Sequence, residues 1–364
     1  MLNSDIVTKK NNLTLIVDGN WLWMSRLSVL NSKYNNVIEL CNDLKLMITK
    51  SINIVLRQFP EIDNIIFVTD GGSWRTQVPI PEFMQKKGEE NKIIIEYKGT
   101  RVTNDLIDWD VVWDNYAELA TILENCGITV CRENGLEGDD WIYYWTNYLN
   151  ENNINTIIWT KDNDLKQLVK FNKDKCFTVW WNKDSGIYSA EYDDSDNNMD
   201  FFFNTEYNKN EEIFNNIVKH AKSITQIDPY KIIVDKILKG DGSDNILPVI
   251  VRKAKTNSQK KFKISTKDID YSINIDDLNN VKEYFQNLLV QKSYIGRVED
   301  TLDQIMEHFE YNKKLVVLKE ESYPEEILEI FNKYKTFTIS TNISEVESKL
   351  QAKSNKLNGI LDII

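Results

Sequence analysis

Residues 13 to 18 read "LTLIVD", an apolar run that ends on a carboxylate at Asp18. Three later runs repeat the pattern: "NIIFVTD" ends at Asp70, "GITVCRE" at Glu133 and "NTIIWTKD" at Asp162. Between them Val112, Tyr116, Leu119 and Leu123 fall at helical spacing, as do Trp141, Tyr144, Trp145 and Tyr148. Strand-like runs alternating with helix-like periods predict an α/β domain with a mainly parallel sheet. Both stripes read as core, and the second, dense in aromatics, reads as a helix buried on more than one face.

The chain has 364 residues, 41% of them hydrophobic and 27% charged, which suits a globular protein of two domains. No apolar run approaches the roughly 20 residues that span a bilayer, and "MLNSDIVTKKNN" holds no signal-peptide core, so a soluble, cytoplasmic protein without membrane contact is expected. Cys41, Cys126, Cys131 and Cys176 lack metal-knuckle spacing and read as buried thiols. With two histidines in the chain, catalysis must rest on carboxylates or cations.

The net charge of −12 argues against diffuse nucleic-acid binding, but charge is local. No acid stands between Asn245 and Lys267, whereas Arg252, Lys253, Lys255, Lys260, Lys261 and Lys263 crowd that stretch, a candidate phosphate-contacting surface. Residues 191 to 226 interrupt the alternation and read as an acidic insertion. Their "DDSDNNMD" is no EF-hand, because Met199 and Thr205 stand where that loop needs Gly and Glu. Domains are therefore expected at 1–226 and 227–364, the second smaller and helical, with "VKEYFQNLLVQ" and "VEDTLDQIMEHFEYNKKLVVL" among its helices.

Asp18, Asp70 and Asp162 occupy one kind of position, the carboxyl end of a predicted strand, and in open parallel sheets that edge is the ligand crevice. "LEGDDW" adds Glu137, Asp139 and Asp140, and "TKDND" adds Asp164. Singly, each is a good turn former or helix cap. Together they repel one another unless cations neutralise them. An all-oxygen donor set favours hard divalent ions, Mg²⁺ with Mn²⁺ as a substitute, and a cluster this large has room for two, roughly 4 Å apart, the arrangement of phosphodiester hydrolysis. "KILKGDGSDNILPV", residues 236 to 249, places Asp241 and Asp244 around a glycine. It lacks the Lys of a phosphate loop and the serial ligands of a calcium loop, which leaves a share in a metal site.

In order and approximate spacing, "LIVDGNWL", "FVTDGG", "YKGTR", "LEGDD", "TKDNDLKQLV" and "KGDGSDN" resemble the motifs of the flap-endonuclease, or five-prime nuclease, family over residues 13 to 250. Within it "KILKGDGSDNILPVIVR" and "YNKKLVVL" are most similar to the T-even-type phage ribonuclease H branch. The resemblance implies a PIN-like nuclease domain with a helical C-terminal domain. It also implies a 5′ to 3′ exonuclease or flap endonuclease that acts on DNA and RNA–DNA hybrid with two Mg²⁺, removing primers in phage replication inside the host cytoplasm. One ion would be held by Asp18, Asp70, Asp139 and Asp162 with Glu137, and the second lie among Asp139, Asp164, Asp241 and Asp244, with Asp140 behind them. Asp70 and Asp162 are the carboxylates on which catalysis would turn. Lys98 and Arg101 would grip the scissile phosphate, and Arg75 and Tyr97 would contact nucleic acid. A monomer is expected, with a single-strand-binding protein of the replisome as partner. The family's G-x-G-x-K hairpin is absent after Asn245, so the basic stretch is expected to hold duplex by side chains. Two other readings are a PIN-type ribonuclease on single-stranded RNA, which needs fewer carboxylates and no helical partner, and a junction-binding scaffold without catalysis.

Overall fold

The computed structural model describes residues 11–30, 36–101, 107–172, 176–190, 209–254, 261–335 and 341–361. In chain order the elements are β1 (Leu13–Asp18), α1 (Gly19–Leu30), α2 (Val37–Gln58), β2 (Asn64–Val68), α3 (Glu82–Asn91), α4 (Trp109–Asn125), β3 (Thr129–Cys131), α5 (Gly138–Glu151), β4 (Asn155–Trp159), β5 (Lys170–Asn172), β6 (Cys176–Asn182) and β7 (Gly186–Ala190). They continue with α6 (Lys209–Lys219), β8 (Ile224–Ile227), α7 (Pro229–Lys239), β9 (Val251–Lys253), β10 (Lys261–Lys263), α8 (Leu278–Leu289), α9 (Leu302–Val316), α10 (Glu325–Tyr334) and α11 (Ile343–Leu361). They form two compact units, one of residues 1–72, 104–227 and 329–364, the other of 73–103 and 228–328.

The first unit carries the sheet, in strand order β3-β2-β1-β4-β6-β7-β8 with β5 beside β6. β3, β2, β1, β4 and β6 are parallel neighbours, and β6 to β7 is antiparallel. β1, β2, β4 and β6 are buried along their whole length, as strands covered on both faces must be, and this explains their near-continuous apolar sequence. The helical stripe of α4 is core as expected: Val112, Tyr116, Leu119 and Leu123 are all buried. α5 buries Trp141, Tyr143, Tyr144 and Trp145, and Phe331 and Tyr334 of α10 pack on that aromatic face, Tyr144 stacking on Phe331 at 4.9 Å between centroids. α11 lies on α2, with Val346 and Leu350 in the core and the Thr49 and Ser354 hydroxyls 3.2 Å apart.

One expectation is corrected. Within the supposed acidic insertion, residues 191–208 lie outside the described residues, but 209 to 227 belong to the sheet architecture. α6 buries Ile213, Phe214 and Ile217 in the core of the unit, and β8 pairs with β7 in parallel. The eight acids from Glu191 to Glu212 mask this 3.6-residue period in the sequence.

The second unit is helical apart from the β9–β10 hairpin. Its core gathers Ile233, Ile237, Phe285, Tyr294 and Phe309, and it also takes Met84 from α3 with Ile95 and Tyr97 from the segment that follows. Residues 73–103 thus supply side chains to a core built otherwise from 228–328.

Candidate metal centre

β1 delivers Asp18 as its last residue. Asp70 follows β2 by two residues and Asp162 follows β4 by three, so all three stand at the carboxyl edge of adjacent parallel strands. The turn from β1 into α1 is possible only with glycine at position 19, where a Cβ would lie 2.4 Å from the Phe67 ring and 2.5 Å from the Val68 carbonyl oxygen. Asp18 is 5% exposed. One carboxylate oxygen accepts the Trp21 N–H at 2.9 Å and the other the Thr160 hydroxyl at 2.6 Å. Burial nevertheless pushes its pKa up to about 7; the two hydrogen bonds pull it back only in part, and repulsion from Asp162 and Asp70 adds to the rise.

The neighbours are held by short local bonds. Asp70 accepts the Gly138 N–H at 2.6 Å, which ties the β2 edge to the first turn of α5, while its own N–H donates to the Asn20 side chain at 3.2 Å. Glu137 caps α5 through a reciprocal capping box with Asp140, whose carboxylate accepts the Glu137 N–H at 2.9 Å. Asp139 is the half-exposed acid between them. The Thr160 hydroxyl accepts the Asp162 N–H at 2.9 Å, and the Asp162 carboxylate accepts the Asp164 N–H at 2.8 Å. One threonine therefore holds the Asp18 carboxylate of one strand and the Asp162 backbone after another.

Two features of this edge were not singled out in the sequence. Lys166 sits between aromatic rings, its ammonium 4.5 Å from the Trp180 centroid and 3.4 Å from that of Tyr188, and Trp180 donates its indole N–H to the Asp162 carbonyl at 2.7 Å. Tyr116 is buried with no partner for its hydroxyl among the described residues, and burial and the charges of Asp70 and Asp18 drive its pKa well above the usual value. The spacing T-x-D-x-D carries a signal for Thr160. Lys166, Trp180 and Tyr188 meet only through the β6–β7 pairing.

In the second unit the loop after α7 is tied from three sides. Gly240 adopts φ +69, where a Cβ would meet the Ile246 carbonyl oxygen at 2.2 Å. Asp241 and Ile246 exchange N–H···O bonds of 2.8 Å, closing the loop at its base. Asn312 of α9, fully buried, donates to the Ile237 carbonyl at 2.9 Å and the Leu247 carbonyl at 2.8 Å, spanning both legs. The "YKGTR" segment clasps the other side. The Lys98 N–H donates to the Asp244 carbonyl at 2.8 Å, Arg101 meets the Asp244 carboxylate at 2.7 Å, and the Asn245 side chain donates to the carbonyls of Ile94 and Glu96. Asp241 takes Lys236 at 2.5 Å and two bonds from Ser243; burial pushes its carboxyl up, but these contacts outweigh it and hold the pKa at about 2.

The expected nucleic-acid contacts divide. Arg75 is 3% exposed, its guanidinium 4.8 Å from the Trp74 ring and donating to the Leu315 carbonyl at 3.0 Å, so it is part of the interior of its unit. Tyr97 is likewise buried, with its hydroxyl 3.5 Å from the Asp244 carboxylate and the Lys98 ammonium 5.0 Å from its ring. Arg252 lies over Tyr294 and Phe262, and Lys253 pairs with Glu299. Lys261 and Lys263 are exposed on β10. Lys255 and Lys260 lie outside the described residues.

The oxygen-only donors at the sheet edge fit a hard divalent cation, which would offset both the burial that chiefly raises Asp18 and the repulsion from Asp162 and Asp70 that adds to it. No helix of the described residues is long and apolar enough to cross a membrane. The architecture is that of the PIN-like, flap-endonuclease fold, as the sequence led one to expect. Among solved structures it is similar to that of the bacteriophage T5 D15 protein co-crystallised with metal ions, at 15% identity over 92% of this chain and 99% of that chain, with a TM-score of 0.51. A pseudo-enzyme-product complex of the T5 D15 flap endonuclease with DNA and metal ions aligns at 17% identity over the same shares with a TM-score of 0.48. The catalytic core of Rad2 in complex with DNA substrate aligns at 12% identity over 96% of this chain and 91% of that one, at 0.35. No family model and no curated protein matches the sequence.

Proposed function

We propose that the protein is a divalent-metal-dependent 5′ nuclease that hydrolyses phosphodiesters at 5′ ends or 5′ flaps of DNA and RNA–DNA hybrid, removing primers during phage replication. The observation that carries the reading is the delivery of Asp18, Asp70 and Asp162 by three adjacent parallel strands to one sheet edge, within electrostatic reach of one another. Fold likeness to a protein crystallised with metal ions supports it.

Asp18, Asp70, Glu137, Asp139, Asp162 and Asp164 are the residues proposed to hold Mg²⁺ in the first unit, and Asp241 and Asp244 are proposed as ligands on the second. When bound, the ions supply water activation and neutralise charge on the leaving oxygen. The chain's own part is orientation. Thr160 fixes the Asp18 carboxylate and the Asp162 backbone, and the Gly138 N–H fixes Asp70. Lys98 and Arg101 are proposed to meet the phosphate. Arg101 is held by Asp244, so it must exchange that carboxylate for the substrate.

The test is hydrolysis of end-labelled 5′-flap DNA, nicked RNA–DNA hybrid and free single-stranded RNA, with Mg²⁺ and with EDTA, by wild type and Asp162→Asn. Metal-dependent release of short 5′ products by wild type, lost in the variant, is the expected result. Binding of either substrate without turnover would leave a junction-binding scaffold, and a preference for free RNA would leave the single-strand ribonuclease.

A further inference from the structure

The carboxylates of the sheet edge are held in two different ways. Asp18 ends a buried strand and Asp70 accepts an N–H from the first turn of α5, so each is anchored to a regular element. Asp162 and Asp164 stand on the short stretch that leaves β4 and runs into a single 3₁₀ turn from Asp164 to Leu168. What packs against that stretch decides where the two carboxylates point.

The packing comes from the β6–β7 pair. Trp181 accepts the Thr160 N–H on its carbonyl at 3.2 Å. Asn182, 3% exposed, donates its side-chain amide to the Thr160 carbonyl at 3.2 Å. Trp180, 1% exposed, donates its indole N–H to the Asp162 carbonyl at 2.7 Å. Beyond Asp164, the Lys166 ammonium lies 4.5 Å from the Trp180 ring centroid and 3.4 Å from that of Tyr188, the residue opposite Trp180 in the β6–β7 register. Three consecutive residues of β6 therefore hold the stretch at Thr160 and Asp162, and two rings hold it again at Lys166.

A buried indole N–H requires an acceptor, and here the acceptor is the backbone of a proposed metal ligand. Both backbone groups of Asp162 are thereby taken, the N–H by the Thr160 hydroxyl and the carbonyl by Trp180. Its side chain leaves a fixed backbone, and its carboxylate accepts the Asp164 N–H at 2.8 Å, which passes the constraint to the second acid. Phenylalanine at 180 would fill most of the same space and still face Lys166, so packing alone does not demand tryptophan. Partners behind ligating carboxylates set metal affinity, and losing one costs about 10–100-fold.

Building on the nuclease reading, we propose that Trp180 is a positioning residue for the metal-binding carboxylates Asp162 and Asp164, and that Lys166, held on its ring and on Tyr188, is the second point of the same clamp. The test is Mn²⁺ binding to the full chain without nucleic acid, followed by the EPR signal of the free ion, beside the melting temperature in EDTA. Trp180→Phe keeps a ring and removes the N–H, and it should weaken Mn²⁺ binding about tenfold. Lys166→Met should weaken it about threefold, as befits a partly exposed cation–π contact. In cleavage of the 5′ flap, the Mg²⁺ concentration for half-maximal rate should rise by the same factors, and high Mg²⁺ should recover most of the loss. A merely structural role would lower the melting temperature in EDTA and leave Mn²⁺ affinity at the wild-type value, which would overturn the proposal. If Trp180→Phe does not fold, Lys166→Met and Tyr188→Leu carry the test: both should shift Mn²⁺ affinity alike, and wild-type affinity in both would overturn it. Cutting by wild type with unshifted affinity in the variants sinks the clamp alone. Shifted affinity without cutting by wild type sinks the nuclease alone, and a wild type that binds no Mn²⁺ sinks both.

Discussion

Asp18 is a carboxyl group forced to share a buried edge with two others, and the folded protein resists its ionisation. Its pKa of about 7 lies above the unfolded value near 3.8, so folding favours the protonated form, and the stability this represents, intact below pH 3.8, is lost as the pH rises to 7. Asp18→Asn should therefore raise the melting temperature of the metal-free protein at pH 8 by a few degrees while abolishing cleavage. Mg²⁺ should raise the melting temperature of wild type much more than that of the variant. Equal metal responses would remove Asp18 from the ligand set. His308 has the opposite sign. A folded pKa of about 4 against 6.5 means that its contribution is complete above pH 6.5 and is lost as the pH falls toward 4, about 3 kcal/mol in all. Urea unfolding at pH 7 and pH 4.5 should show that loss in wild type and a flatter response in His308→Phe. At this scale the sequence was informative about the carboxylates, because an acid at a strand end is visible in one dimension. It did not say where Arg75 and Tyr97 sit, since a cation or an aromatic reads the same whether it faces solvent or a neighbouring helix.

The loop from Gly240 to Ile246 shows what an element adds. Its two aspartates are legible as a pair, but their fixation is not, because the residues that fix them come from positions 94 to 101 and from 312. Asn312 stands in the middle of α9 with no local reason to be polar. Asn312→Leu keeps the volume and leaves the carbonyls of Ile237 and Leu247 unpaired, which should cost about 1–3 kcal/mol of stability by urea melts. Cleavage by Asn312→Leu should fall together with that by Asp241→Asn, and the double variant should be no worse than the more damaged single one. Additive losses would mean that Asn312 acts only on stability. The helix α6 teaches the reverse lesson: its apolar period was present in the sequence, but the acids around it drew the eye to composition.

On the scale of the molecule, the two compact units are not two lengths of chain. Local periodicity reports which residues are apolar and says nothing about which core they join, so neither the passage of 73–103 into the second unit nor the return of the chain to the first could be read in advance. Two fragments test the grouping. A protein ended before Ile343 should lose the cooperative thermal transition of the first unit, because Val346 and Leu350 are part of its core. Residues 228–328 expressed alone should fail to fold, lacking Met84, Ile95 and Tyr97, and should recover when 73–103 is supplied by fusion. A cooperative melt of 228–328 by itself would contradict this. The packing of α11 on α2 has a further consequence for the order of events on the ribosome. α2 ends at Gln58, and its partner emerges only after nearly three hundred more residues have been made. The sheet whose edge carries the carboxylates must then wait, half covered, for the last helix. A contact of such long sequence separation delays completion of the fold, and with it the gathering of the carboxylates at one finished edge.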